Sequence, residues 1–470
     1  MLNRVESWWR RPAGMREVLV MALPLIVSNL SSTIMIFTDR VFLAHYSTDA
    51  VAAALPAGNL IYLAVCFPLG VAGYVNTFVA QYHGAGRPER IGLAVWQAAW
   101  LGLATIPLML LTVPLAPAVI HWAGHPAEVA ALEIEFYRAL CWGESTLVLA
   151  AALSSFFTGR GDMWTVMIVD SLAAGLNVAL DYAWIFGHFG FPEWGAAGAG
   201  WATSVATLFR VLVYIALWLR PVFRVKYQTL AGCRFDRELF GRLLWFGAPN
   251  GLQYLIEVGA FGVFIVLVGQ IGKNELAASN LAFNLNALVF MPVLGIGVAT
   301  STLVGRHLGE NRPDLAARST WTALWLAVVV LLPLAAIYVL FPDALLWAYG
   351  SADDSTADAA PRELAADLLR FVAFYSLFDA MNVIFAGAVK GAGDTRFAML
   401  TTVSAALGAA GFIWISQEWL HLGLHGAWFV VTAWISVLGV VFLLRFMQGR
   451  WREMRVIEPL AVEPLAGNAD

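Results

Sequence analysis

The chain has 470 residues, of which 60% are hydrophobic and 13% charged, with a mean hydropathy of +0.72. Soluble domains run near 25% charged residues, so this composition excludes a soluble globular protein. The net charge of −4 leaves no nucleic-acid footprint, and three scattered cysteines, Cys66, Cys141 and Cys233, exclude a disulfide framework or a thiolate metal site.

Long stretches without Asp, Glu, Lys or Arg cover 18–38, 91–127, 276–305, 319–342, 397–417 and 419–444. Each exceeds the roughly 18 apolar residues that read as a membrane span. They are continuous, whereas barrel strands alternate in polarity over about ten residues, so they are helices. In chain order the predicted spans are 17–44, 51–80, 92–118, 129–157, 163–187, 195–219, 240–271, 276–305, 316–342, 365–389, 397–418 and 425–446. The first has no trustworthy cleavage site and is read as helix 1, not as a signal peptide.

Loop charge orients these twelve helices. The loops after even-numbered helices, together with both ends, carry 22 of the 28 basic residues, among them Arg87, Arg90, Arg160, Arg306, Arg312 and Arg445. The opposite loops carry Lys273 and Arg362. This bias predicts cytoplasmic termini and a multi-pass protein of the inner (plasma) membrane. Residues 456–470 have no hydrophobic period and read as a disordered tail.

The halves repeat. Pro24 and Pro249 lie 225 residues apart near the start of helices 1 and 7, and the pair 52–53 (AA) matches 277–278 at that offset. The run GAGRP at 84–88 matches GENRP at 309–313, and GRGD at 159–162 matches GAGD at 391–394. Trp201 and Trp428 mark helices 6 and 12. Each half begins and ends on the same side, so the repeats are parallel. The expected fold is all-α: two pseudo-symmetric six-helix lobes, 1–225 and 226–455. The Gly-x-Gly runs are turn signals, since no phosphate-binding GxxxxGK[ST] exists.

Ionisable groups at membrane depth cost roughly 2.5–3.5 kcal/mol or more each and mark candidate sites. Asp39 in helix 1, Glu257 in helix 7 and Asp379 in helix 10 are read as cation-binding carboxylates. Tyr375 and Asn382 share the Asp379 face. Asn177 and Asp181 stack four residues apart on helix 5, and Thr203 of helix 6 can add a hydroxyl. That set suits sodium or a proton relay, and equally plain interhelical hydrogen bonding. Arg40 is read as snorkelling to the interface. Glu144, Asp170 and Arg210 pair with one another or face an aqueous cavity, and carry less weight. His121/His125 and His421/His425 have metal-ligand spacing but supply only two ligands each, and are read as interfacial. No nucleophile–base arrangement or HExxH motif occurs, so no enzyme is expected.

Twelve helices in two repeats, with FTDRVFLAH at 37–45, Pro249 followed by Glu257, VGRHLGEN at 304–311 and AGAVKGAGD at 386–394, resemble the multidrug and toxic compound extrusion (MATE) transporters, bacterial NorM type. The resemblance spans essentially the whole chain. It implies antiport: cationic or amphipathic compounds leave as sodium or protons enter, with no other cofactor. The family's helix 1 aspartate falls on Asp39, its helix 5 pair on Asn177 and Asp181, its helix 6 threonine on Thr203, its helix 7 glutamate on Glu257, and its helix 10 tyrosine and aspartate on Tyr375 and Asp379. Partners implied are small organic cations or amphipathic drugs and the lipid bilayer, with the protein a monomer. The alternatives are a lipid-linked oligosaccharide flippase of the same superfamily, which the acidic lean of the buried charges disfavours, or a membrane enzyme or sensor.

Overall fold

The structure, a computed structural model, describes residue 9 and residues 11–346, 359–418 and 423–458. Among them twelve helices are long and apolar enough to cross a membrane. They are α1 (Met15–Tyr46), α2 (Thr48–Gly84), α3 (Glu89–Leu110), α4 (Ala127–Gly159), α5 (Met163–Ile185), α6 (Gly195–Trp218), α7 (Arg237–Ile271), α8 (Lys273–Gly309), α9 (Pro313–Leu340), α10 (Ala360–Ala392), α11 (Thr395–Ile415) and α12 (Gly423–Met447). They match the predicted spans one for one, because an unbroken apolar run in lipid must satisfy its own backbone hydrogen bonds.

Punctuation follows the polar residues between runs. The Asp162 carboxylate accepts from Thr165 N and caps α5, and Asp236 accepts from Leu239 N at 3.0 Å and caps α7. Gly161, at φ +84°, turns the chain between α4 and α5. Two spans are interrupted. α2 breaks at Tyr74, and α4 breaks after Glu144, resuming at Leu147.

In the first half α1 packs on α5, α6 on α4 and α5, and α2 on α4. In the second half α10 packs on α8, α9 and α12, and α11 on α7 and α12. Between the halves, α1 meets α8 and α2 meets both α7 and α8. The outer surface is apolar and open, with Leu108, Trp325, Val329 and Phe412 each more than half exposed, as a lipid-facing wall requires.

Residues 456–458, expected from the sequence to open a disordered tail, are packed against the helices. Val456 is fully buried, its N–H donates to Gln81 Oε1 at 2.8 Å, and Arg242 donates to its carbonyl. Glu458 pairs with Arg87 at 2.7 Å and Arg90 at 2.9 Å and accepts from the Tyr82 hydroxyl at 2.6 Å. Residues 456–458 are therefore seated across the arginine-rich end. Residues 459–470 and His421 lie outside the described residues.

Candidate functional site

The first half encloses a cavity of about 600 Å³ between α1, α2, α4, α5 and α6. Ser28, Ser32 and Asp39 of α1 border it. Their spacing, 28, 32 and 39, keeps them on one helical face. Arg40, Glu144, Asp170 and Arg210 complete its charged lining, Thr203, Thr207, Asn59 and Tyr62 add polar groups, and Met35, Leu55, Leu69 and Phe136 are among its apolar walls.

The break in α4 positions Glu144. Gly143 N donates to Ser204 Oγ at 2.9 Å, and that hydroxyl donates to the Ala139 carbonyl at 2.6 Å. α6 approaches so closely that a Cβ on Gly143 would lie 2.3 Å from Ser204 Cα. Ser204 thus bridges Gly143 N and the Ala139 carbonyl just before the break, and Glu144, the last residue before it, borders the cavity.

Behind the cavity wall at Asp39 sits a compact polar cluster. Asn177 and Asp181 are fully buried. The Asn177 amide, oriented to satisfy both its ends, donates to Asp181 Oδ2 at 3.0 Å and accepts from Thr203 N and Oγ1 at 3.2 and 3.1 Å. The Asp39 carboxyl lies close enough to Asp181 and Thr203 to interact with both. Two neighbouring carboxyls resist ionising together. Oδ1 of each is buried without a donor among the described residues. The four residues taken from helices 1, 5 and 6 thus come together.

At the other end of the cavity Asp170 accepts from Ser28 Oγ at 2.6 Å and from the Tyr214 hydroxyl at 2.9 Å, with Arg210 at 4.0 Å. Glu144 lies within electrostatic range of Arg210. These three residues, given little weight from sequence, line the cavity, and so does Arg40. A signal was present in α1: Ser28, Asn29 and Ser32 place hydroxyl and amide groups on the Asp39 face.

The residues of the second half form a separate cluster outside that cavity. Glu257 accepts from Gln253 Nε2 at 2.8 Å. Asp379 bonds to Asn382 and feels the charge of Glu257, while buried Tyr375 lies beside Asp379. Arg370 turns away to Asp367 at 2.9 Å. His125 pairs with Glu133 at 2.6 Å, and no group of three or more possible metal ligands occurs among the described residues.

Comparison with known proteins bears on this arrangement. The MatE family model matches residues 24–183 and 249–415, two stretches beginning at Pro24 and Pro249, the repeat offset. A probable multidrug resistance protein NorM of Bradyrhizobium diazoefficiens is 32% identical over 440 residues, 92% of each chain. The multidrug resistance protein PmpM of Pseudomonas aeruginosa is 28% identical over 467 residues, 96% of this chain and 95% of that one. Among solved structures, a MOP superfamily transporter from Pyrococcus furiosus superposes with TM-score 0.85 at 20% identity, over 95% of this chain and 98% of that one. An outward-facing multidrug resistance MATE family transporter of the MOP superfamily also gives 0.85, at 21% identity, over 95% and 98%. Those two likenesses establish the shared fold. With both halves matched and a 32% identical relative covered nearly end to end, the chain belongs to the MatE family.

Proposed function

We propose that the chain is a secondary multidrug efflux transporter of the inner membrane. It exports cationic or amphipathic organic compounds in exchange for sodium or protons, by rocking two lobes, 1–225 and 226–455, about a central cleft. The relatives' names support the drug-export part of this reading. The observation that carries the antiport part is the contact between Asp39 and Asp181 at a cavity wall. Asp39 belongs both to the ion cluster and to the substrate cavity. An entering ion neutralises the field that a cationic substrate needs, so the two compete, and the coupling is reciprocal. The cavity carries Asp39, Glu144 and Asp170 against Arg40 and Arg210, a net negative lining that favours a cation over the anionic cargo of a flippase. The cluster around Glu257, Asp379 and Tyr375 is a second candidate cation site in the other lobe.

The test is ethidium export from proteoliposomes under an imposed sodium gradient and, separately, a proton gradient. One gradient should drive export by the wild type, and Asp39→Asn should abolish it at equal protein level. Undiminished gradient-driven export by that variant would remove Asp39 from the coupling site.

A further inference from the structure

Arg210 enters the cavity held by a single long ion pair, with much of its donor fork unused. Its closest carboxylate oxygen, Asp170 Oδ1, is 4.0 Å away. Asp170 is already served by Ser28 and Tyr214 at 2.6 and 2.9 Å. Arg210 Nε is buried with no hydrogen-bond partner among the described residues. Glu144 is within electrostatic range but forms no ion pair with it among those residues. Two other arginines are held more closely: Arg445 closes on Asp394 at 2.7 Å, and Arg160 donates to the Phe156 carbonyl while stacking on Phe156 and Phe223.

A half-used guanidinium at membrane depth is costly, and its planar fork of donors matches a carboxylate or phosphate. The cation-attracting pole of the cavity, Asp39 with Thr203, lies at the other end. Thr203 and Arg210 are seven residues apart on α6, about 10 Å along the axis. We propose that Arg210 is a specificity-determining residue that binds an anionic group of the substrate. The cavity then takes amphipathic zwitterions, seating the cation toward Asp39 and the carboxylate on Arg210. This rests on the export reading above and names the substrate class of that same cavity.

Rhodamine 123 and rhodamine 110 provide the test, since they share one fluorophore and differ in that the first is the methyl ester, a monocation, and the second carries the free carboxylate. Binding of each dye to the purified full-length protein is read by fluorescence anisotropy. The wild type should bind both. Arg210→Gln should weaken rhodamine 110 by about tenfold, the scale of one lost charge-assisted contact. The same change should tighten rhodamine 123 by about threefold, because a repelling charge has left the cavity. Arg210→Lys, which keeps the charge but not the fork, should lower rhodamine 110 alone and serves if the glutamine variant does not fold. A parallel loss of both dyes would make Arg210 a structural counter-charge and overturn the proposal. So would unchanged affinities, or wild-type protein that binds rhodamine 123 but not rhodamine 110. Wild-type protein that binds neither dye would overturn the export reading as well.

Discussion

Gly84 and Gly309 each press against the other's helix. A Cβ on Gly84 would lie 2.0 Å from the Arg306 carbonyl oxygen, and a Cβ on Gly309 would lie 2.2 Å from that of Gln81. Both partners shift by the repeat offset, so this is one contact made twice across the interface of the halves. It draws the ends of α2 and α8 into backbone contact at the arginine-rich end of the interface between the halves. The C-terminal residues reinforce it, since Gln81 also donates to the Gly391 carbonyl at 3.0 Å and accepts from Val456 N.

A methyl group at either glycine has nowhere to go in this arrangement. Gly84→Ala and Gly309→Ala should each destabilise it by about 1–3 kcal/mol, the scale of an overpacked interior. The two penalties should be similar, because the contacts are equivalent. Thermal unfolding of the purified variants measures this. A large loss for one glycine and none for the other would show that the contact is not symmetric in energy.

The Asp39–Asp181 contact makes a prediction about competition. Ethidium affinity of the wild type should fall as the coupling ion is added. In Asp39→Asn the affinity should be lower at the outset, by about tenfold or more for loss of a low-dielectric charge contact. It should also become insensitive to the ion. Equilibrium binding titrations with and without sodium, and across pH, give the comparison. Ion-sensitive binding that survives in the variant would assign the competition to Glu257 and Asp379.

Much of this was legible before any coordinates. Helix count, repeat and the Asn177–Asp181 stack follow from local rules, namely apolar length, offset matches and i,i+4 stacking, whereas the place of Asp39 beside that pair was implied by the family resemblance. Glu144 was legible only as one of three residues that pair or face an aqueous cavity, because its position depends on a helix break beside Ser204, sixty residues away. The weight of Arg210 was hidden for a related reason. Only the geometry reveals that Asp170 accepts from Ser28 and Tyr214 more closely than it meets Arg210. The seating of Val456–Glu458 escaped notice because its partners Gln81, Arg87 and Arg90 lie more than 360 residues back, and a short polar segment carries no periodic signal.

Ser204 offers a direct check on the α4 break. Ser204→Ala removes the acceptor of Gly143 N and leaves that buried donor unpaired, at a cost of about 1–3 kcal/mol. Ser204→Thr keeps a hydroxyl and should recover part of the loss, unless its added methyl clashes where α4 and α6 touch. A drop in melting temperature for alanine that exceeds the drop for threonine supports the clip, and equal drops would assign the effect to packing.

The seated C-terminus makes a pH prediction whose sign is fixed. Burial alone would raise the Glu458 carboxyl, but the hydrogen bond from Tyr82, its backbone contact and the charges of Arg90 and Arg87 outweigh it and pull it from 4.5 down to about 2. A folded value below the free value means the charged form is the one held in place. Its contribution is therefore complete above about 4.5, declines as pH falls, and is gone near 2. Glu458→Gln mimics the protonated state, so it should melt below the wild type at pH 7 by about 1–2 °C, a small shift because the pair is partly solvated. That gap should narrow as pH drops below about 4.5 and vanish toward 2. Since Glu458 ties residues 456–458 to Arg87 and Arg90, the same variant should also loosen the C-terminal segment packed where Gly84 and Gly309 meet. A gap in melting temperature that stays constant with pH would mean that Glu458 contributes through packing alone, and that its charge does not hold the C-terminus in place.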